Sequence, residues 1–98
     1  MGRGYRVLEM SRPCLKVLLA LEEAGGSMEL GRVRGLWRSP SIAYLAVKEL
    51  VYAGLATLKP SEGSRGQVVS LTEAGREVAR ALWRVEKLLR EAPRGSQP

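Results

Sequence analysis

The sequence contains no histidine, no aspartate and no asparagine, and it has a single cysteine. Nucleophile–base triads need a histidine or a substitute for it. A transition-metal site within one subunit would have to be built from glutamates and one thiolate. Cys14 stands in an apolar helical stretch, so we expect a core residue rather than a reactive thiol, and no intrachain disulfide can form. These absences predict a protein that is not an enzyme and that has no metal and no cofactor.

Long hydrophobic runs are absent as well. Uninterrupted apolar stretches such as Val17 to Leu21 are far too short to span a bilayer. The first residues also lack the basic-then-apolar pattern of a secretory signal. With 98 residues, of which 45% are hydrophobic, the chain fits one globular domain. We therefore expect a soluble, cytoplasmic protein with no membrane partner.

Positive charge is in excess. Sixteen lysines and arginines stand against ten acidic residues, all of them glutamate, and the formal net charge is +6. A basic excess of this size on a short chain attracts polyanions such as the phosphate backbone of nucleic acids. A soluble surface that is merely basic would have the same composition, so charge alone leaves both interpretations open.

Capping residues and apolar spacing predict three helices in the first half. Residues 1–12 are predicted to form an N-terminal arm, extended or partly helical. Ser11 caps a helix that runs to Ala24, and two glycines end it. Its expected apolar stripe consists of Leu15, Leu18 and Leu19, widened by Leu21 and Ala24. Ser27 caps a shorter helix from Met28 to about Leu36. Ser39 and Pro40 open a third helix, which ends at Ala53 before Gly54 and turns Ala43, Val47 and Leu50 to the core.

The second half predicts a β-hairpin and one long helix. Apolar residues alternate with others in two short segments, around Ala56–Lys59 and Val68–Leu71, and a glycine- and serine-rich turn joins them. Thr72 caps a last helix that runs to about Glu91. The predicted fold class is α+β, mainly α: a winged helix with three helices, a β-hairpin wing and a long C-terminal helix. Residues 13–71 would form the winged-helix domain, 72–92 a dimerisation helix and 93–98 a disordered tail.

Two motifs resemble known regulators. The stretch Arg65-Gly66-Gln67-Val68-Val69-Ser70-Leu71-Thr72-Glu73-Ala74-Gly75 resembles the wing-to-helix pattern of MarR-type regulators, in which an arginine precedes a Leu-Thr-x-x-Gly motif by six positions. Leu50-Val51-Tyr52-Ala53-Gly54-Leu55 resembles the exit from the recognition helix in MarR, ArsR and PadR-like proteins. The resemblance covers roughly residues 13–75 and is specific to the winged-helix superfamily.

The resemblance implies a DNA-binding transcriptional regulator whose third helix enters the major groove, with the wing on the backbone or minor groove. The residues expected to contact double-stranded DNA are Arg38, Ser39, Ser41, Tyr44, Leu45, Lys48, Lys59, Ser64 and Arg65. Two positions depart from the family: Gly63 stands where an aspartate is usual, and Leu45 where a polar or basic residue is common. Tyr44 and Leu45 have an alternative, which is packing on the arm or on a partner subunit.

The apolar spacing in the last helix predicts a homodimer. Val78, Leu82, Val85 and Leu89 step by four, three and four residues, the spacing of a coiled-coil seam, and Trp83 lies to one side. The predicted dimer interface is Val78, Leu82, Trp83, Val85 and Leu89. The same apolar face would also close the domain's own core, so this alternative stays open. Two-fold symmetry would match a pseudo-palindromic DNA site.

Two other functions compete with sequence-specific regulation. An architectural protein would bind DNA phosphates mostly by charge, and the apolar Leu45 on the reading helix favours it. A winged helix used as a protein-interaction module would dock through Tyr44 and Leu45. A regulator would be associated with the nucleoid and would be compatible with a small-molecule effector.

Overall fold

A computed structural model describes residues 4–63 and 66–93. Four α-helices and three strands follow one another after a short 3₁₀ helix at Arg6–Glu9. In chain order they are α1 (Arg12–Glu23), β1 (Ser27–Glu29), α2 (Leu30–Arg34), α3 (Pro40–Tyr52), β2 (Ala56–Pro60), β3 (Gln67–Leu71) and α4 (Glu73–Glu91). The predicted α+β winged helix is confirmed. None of the helices in the described ranges combines the length and apolar character that a bilayer span requires.

Local capping explains where α1 begins and ends. The Ser11 hydroxyl accepts a hydrogen bond from the Cys14 amide at 3.3 Å, and Pro13 lies in the first turn. At the other end Gly25 and Gly26 have φ angles of 95° and 109°, which side chains disfavour. The Gly26 carbonyl then accepts a 2.8 Å hydrogen bond from the Leu71 amide, so the turn is tied to the sheet.

The prediction for Ser27 is wrong. Ser27 does not cap a helix; Ser27–Glu29 is a strand that pairs antiparallel with β3, with Ser27 opposite Ser70 and Glu29 opposite Val68. The helix that follows, α2, has only five residues. After the glycine turn the chain comes alongside β3, and interstrand bonds satisfy backbone groups that a glycine-weakened helix would otherwise have to pair. The sheet order is β1-β3-β2, and β2 and β3 form the predicted hairpin.

The core is formed by side chains from all four helices and from the sheet. Its largest fully buried side chains are Leu18, Leu21, Leu50, Val17, Val33, Val47 and Val69. The inward face of α1 differs from the expected one, because α1 packs against both α3 and α4. Leu15 and Leu19 are half-buried at its border and Ala24 is exposed, whereas Cys14 and Val17 are buried.

The two sequence motifs of the resemblance meet in one junction. At the end of α3, Gly54 has a φ of 80° and the Leu55 amide bonds to the Leu50 carbonyl at 2.9 Å. At the start of α4, the Thr72 hydroxyl accepts from the Gly75 amide at 3.0 Å and donates to the Gly54 carbonyl at 2.7 Å. Gly75 is buried against Leu55, whose carbonyl oxygen a Cβ there would overlap. The motifs therefore hold α3 and α4 together.

Candidate nucleic-acid interface

Helix α3 has one buried face and one exposed face. Ser39 precedes Pro40 in an extended conformation, and its carbonyl accepts from the amides of Ile42 and Ala43 at 3.1 and 3.3 Å. The inward face consists of Ala43, Ala46, Val47 and Leu50, all buried. On the other side Ser41 and Lys48 are exposed, and Leu45 is 62% exposed. The outward face is thus free of core packing, as a groove-reading helix requires.

Tyr44 lies at the border between these two faces. Its half-buried ring packs against the edge of the core. Two cations approach it: the Arg34 Cζ is 5.4 Å from the ring centroid and the Lys48 Nζ is 5.7 Å from it. Both distances are within the range of cation–π attraction. Tyr44 therefore joins the end of α2 to the exposed face of α3.

Cations also lie around the turn between α2 and α3. Arg38 is exposed at the entrance to α3, and Lys16 of α1 lies 5.1 Å from the centroid of the Trp37 ring. Sequence reasoning missed all three cation–ring contacts. Tyr44 and Lys48 are one helical turn apart, and this spacing indicates their contact. No local pattern indicates the contact of Arg34 with Tyr44 or that of Lys16 with Trp37.

The hairpin brings Lys59 to an exposed position at the end of β2, opposite Val68. A 2.9 Å hydrogen bond from the Ser61 amide to the Gly66 carbonyl closes the base of the tip. Ser64 and Arg65, the two predicted DNA contacts in the wing, lie outside the described residues. Their roles stay predictions.

Helix α4 divides the predicted dimer residues into two groups. Val78 and Leu82 pack against the core of the chain itself, and the Trp83 Nε1 donates a 2.8 Å hydrogen bond to the Leu19 carbonyl of α1. Farther along the helix Val85 and Leu89 are exposed, as is Leu88. The far half of α4 thus offers an exposed apolar face, and the dimer role of all five residues stays a prediction.

Cys14 is a core residue, as expected. Its thiol is buried and donates to the Glu49 carboxylate at 2.7 Å, with the Ala46 carbonyl 3.6 Å away. Burial, together with the Glu49 hydrogen bond and charge, raises the pKa of the Cys14 thiol. A protonated, enclosed thiol is a poor nucleophile. Among the described residues no group of three cysteine, histidine or acidic side chains is placed to hold a metal ion.

A half-open apolar recess of about 490 Å³ lies between the 3₁₀ helix and helices α1, α3 and α4. Val7, Met10, Leu55 and Leu82 contribute to its walls, which also include polar groups. The polar and ionisable residues in its lining include Arg6, Glu9, Cys14 and Glu49. Four residues of the predicted arm form the 3₁₀ helix, and Val7 on that helix is largely exposed in a single chain.

Comparison with solved structures finds close matches in fold, whereas no protein-family model and no curated protein matches the sequence. An archaeal protein reported as a mechanosensitive channel, and described as a structural homologue of MarR-like transcriptional regulators, is 27% identical with a TM-score of 0.73. That match covers 84% of this chain and 70% of the other. The protein AF1382 of Archaeoglobus fulgidus is 15% identical, with a TM-score of 0.71, and 90% of this chain covers all of it.

A MarR family transcriptional regulator from Silicibacter pomeroyi is 23% identical with a TM-score of 0.73 over 87% of this chain. The chain spans only 58% of that regulator's length. At these identities the likeness concerns the fold, and it agrees with the resemblance found in the wing-to-helix and helix-exit motifs. The chain therefore has the winged-helix fold of MarR-like transcriptional regulators.

Proposed function

We propose that this chain is a dimeric, DNA-binding transcriptional regulator that inserts α3 into the major groove and sets its wing on the backbone or minor groove. The observation that carries the proposal is the division of α3 into a buried face and an exposed one. Four inward residues anchor the helix, and Ser41, Leu45 and Lys48 are left accessible. A helix held in this way can present three or four side chains to base edges and phosphates.

The charges around α3 support a polyanionic partner. Arg34, Arg38 and Lys48 are exposed, and within residues 4–63 and 66–93 none of them has a carboxylate at ion-pairing distance. The two ion pairs in that part of the chain involve α4: Arg80 meets Glu22 of α1, and Arg90 meets Glu86 within α4. Unpaired cations beside an exposed helix face are available to phosphates without first breaking an ion pair.

The regulatory role draws on the comparisons. The Silicibacter pomeroyi protein of similar fold is described as a MarR family transcriptional regulator, and the archaeal protein as a homologue of such regulators. We extend that role to this chain, with a site of action at the nucleoid in the cytoplasm. Because regulators of this fold read symmetric sites as dimers, the exposed far half of α4 is the proposed contact between two copies.

Two exposed apolar surfaces support this dimer. Val85 and Leu89 lie on α4, and Tyr5, Val7 and Leu8 lie on the N-terminal segment. Helix α4 has 19 residues and so is about 28 Å long, too long for this small domain to cover entirely. Large apolar side chains clustered on the surface of a small protein are typical of protein–protein contacts.

A salt titration tests DNA binding. The dissociation constant for a fluorescent duplex is measured at several salt concentrations for the wild type, Lys48→Gln and the matched control Lys87→Gln on α4. We expect steep weakening with salt, and a log–log slope about 0.9 smaller for Lys48→Gln but not for the control. Arg65→Ala should lower the slope by about one if the wing contacts phosphate. No salt-dependent binding by the wild type would overturn the proposal.

Sequence-independent, architectural binding is the second candidate, and the 62% exposed Leu45 favours it. A leucine can contact thymine methyl groups but provides no hydrogen bonds for discrimination between bases. Selection of bound duplexes from a random pool at moderate salt, followed by competition with random DNA, separates the two. If random duplex competes as well as the selected sequence, binding is architectural and the regulator proposal fails.

A further inference from the structure

The contacts of Tyr44 connect cations from both helices of the helix-turn-helix unit. Arg34 is the last residue of α2, and Lys48 lies one turn beyond Tyr44 on α3. Their charged groups are 5.4 and 5.7 Å from the same ring centroid. The electron-rich faces of an aromatic ring attract cations, so the Tyr44 ring attracts each of these two charged groups.

The position of the Tyr44 ring is fixed by packing. Tyr44 is half-buried and packs against the core, so its orientation is set by the fold and not by solvent. By contrast Arg34 and Lys48 are exposed and, in the part of the chain that the structure describes, have no carboxylate partner. A long, unpaired cation normally loses much rotamer freedom when it binds a phosphate. A cation already resting on a fixed ring has lost part of that freedom beforehand.

We propose that Tyr44 is a positioning residue: its ring holds Arg34 and Lys48 together as a preorganised pair of phosphate contacts beside α3. This inference rests on the proposed DNA-binding function and refines it, because Tyr44 then acts through the two cations and not by reading bases with its hydroxyl. The pair joins α2 to α3, so a single ring sets the spacing of charges that belong to different helices.

The test is a set of variants in the same salt titration, with a fluorescent duplex of random sequence as the probe. Tyr44→Phe keeps the ring and should bind like the wild type. Tyr44→Leu keeps apolar packing but removes the ring, and should weaken binding about three- to tenfold at every salt concentration. Arg34→Gln and Lys48→Gln should each lower the log–log slope by about 0.9.

A double-mutant cycle separates positioning from mere packing. In the Arg34→Gln/Lys48→Gln background, Tyr44→Leu should change affinity less than about twofold, because no cations remain to be positioned. An equal loss in both backgrounds would reduce Tyr44 to a packing residue and overturn the proposal. The proposal would also be overturned if the wild type binds in a salt-dependent way but neither Arg34→Gln nor Lys48→Gln changes the log–log slope.

Two further outcomes have defined meanings. If the wild type shows no salt-dependent binding, the DNA-binding function itself fails and the role of Tyr44 fails with it. If instead the wild type binds but Tyr44→Leu weakens binding equally in both backgrounds, only the positioning role is overturned. Circular dichroism and urea unfolding check that Tyr44→Leu is folded, and Tyr44→Met replaces it in the cycle if it is not.

Discussion

The hydroxyl of Thr72 donates a 2.7 Å hydrogen bond to the carbonyl of Gly54. This bond links the start of α4 to the end of α3, the helix that we propose reads DNA. The same oxygen accepts from the Gly75 amide at 3.0 Å and so caps α4. One side chain therefore satisfies two helix termini. The orientation of α4, and with it of the exposed face proposed for dimerisation, depends on this junction.

Thr72→Ala should lower the free energy of unfolding by about 1–2 kcal/mol, because it removes both the cap and the bond to Gly54. Thr72→Ser keeps the hydroxyl and serves as the matched control, with an expected loss below about 0.5 kcal/mol. Urea unfolding followed by circular dichroism measures both. Equal losses in the two variants would show that the methyl group, and not the hydroxyl, stabilises the junction.

Gly75→Ala should destabilise the fold by about 2 kcal/mol or more, because its Cβ would overlap the Leu55 carbonyl oxygen and the backbone would have to move. Gly31→Ala is the control. Gly31 is also helical, and a Cβ there meets nothing within 4 Å. That substitution should stabilise the protein by about 0.5–1 kcal/mol, since alanine has the higher helix propensity. If Gly75→Ala and Gly31→Ala changed the free energy of unfolding by the same amount, the close approach of Gly75 to Leu55 would be contradicted.

Trp83→Phe should cost about 1 kcal/mol of unfolding free energy, because it removes the 2.8 Å hydrogen bond from the indole to the Leu19 carbonyl. The oligomeric state should not change, since this bond lies within one chain. Sedimentation equilibrium together with urea unfolding checks both quantities. Dissociation caused by Trp83→Phe would instead assign Trp83 to the subunit interface.

The double variant Val85→Lys/Leu89→Lys should shift the protein towards the monomer, because it places two charges in the exposed apolar face proposed for dimerisation. We expect the dimer dissociation constant to rise by about a hundredfold, or about 2.7 kcal/mol. Lys87→Gln lies between the two positions and changes only a charge, so it should leave the oligomeric state as it is. An unchanged mass for the double variant would place the dimer contact elsewhere.

The raised pKa of Cys14 predicts a pH dependence of stability. Its folded pKa lies above the ordinary value of 9.0, so the stabilisation is fully present below pH 9 and is lost as the pH rises through the folded pKa. The free energy of unfolding of the wild type minus that of Cys14→Ala should therefore fall above pH 9. Urea unfolding at a series of pH values measures the difference, and a difference that does not change with pH would contradict the prediction.

The thiol should also react slowly with a disulfide reagent in the native protein and rapidly in urea, because burial and the hydrogen bond to Glu49 keep it protonated and enclosed. Absorbance of the released thiolate measures both rates. Fast reaction in the native state would show that the side of the core near Cys14 opens readily.

The helix ends were predictable where the chemistry that sets them is local. Ser11 and Thr72 cap α1 and α4 through side chains that reach amides three residues away, and Gly54 ends α3 by its positive φ. The hairpin was predictable for a similar reason, since alternation and turn residues lie within one short stretch. Such interactions connect residues that are close in sequence, so a pattern of residue types records them.

Only the tertiary structure decided the rest. Ser27–Glu29 is a strand because β3, some forty residues later in the chain, lies beside it and pairs with its backbone groups. Arg34 meets the Tyr44 ring, and Trp83 bonds to Leu19, through packing between helices that no local spacing encodes. The sequence by itself determined α1, α3, α4 and the hairpin, and it contained the two motifs that mark a winged helix. Long-range packing determined which apolar residues are buried within one chain and which stay exposed, because burial depends on neighbours that only the folded chain brings together.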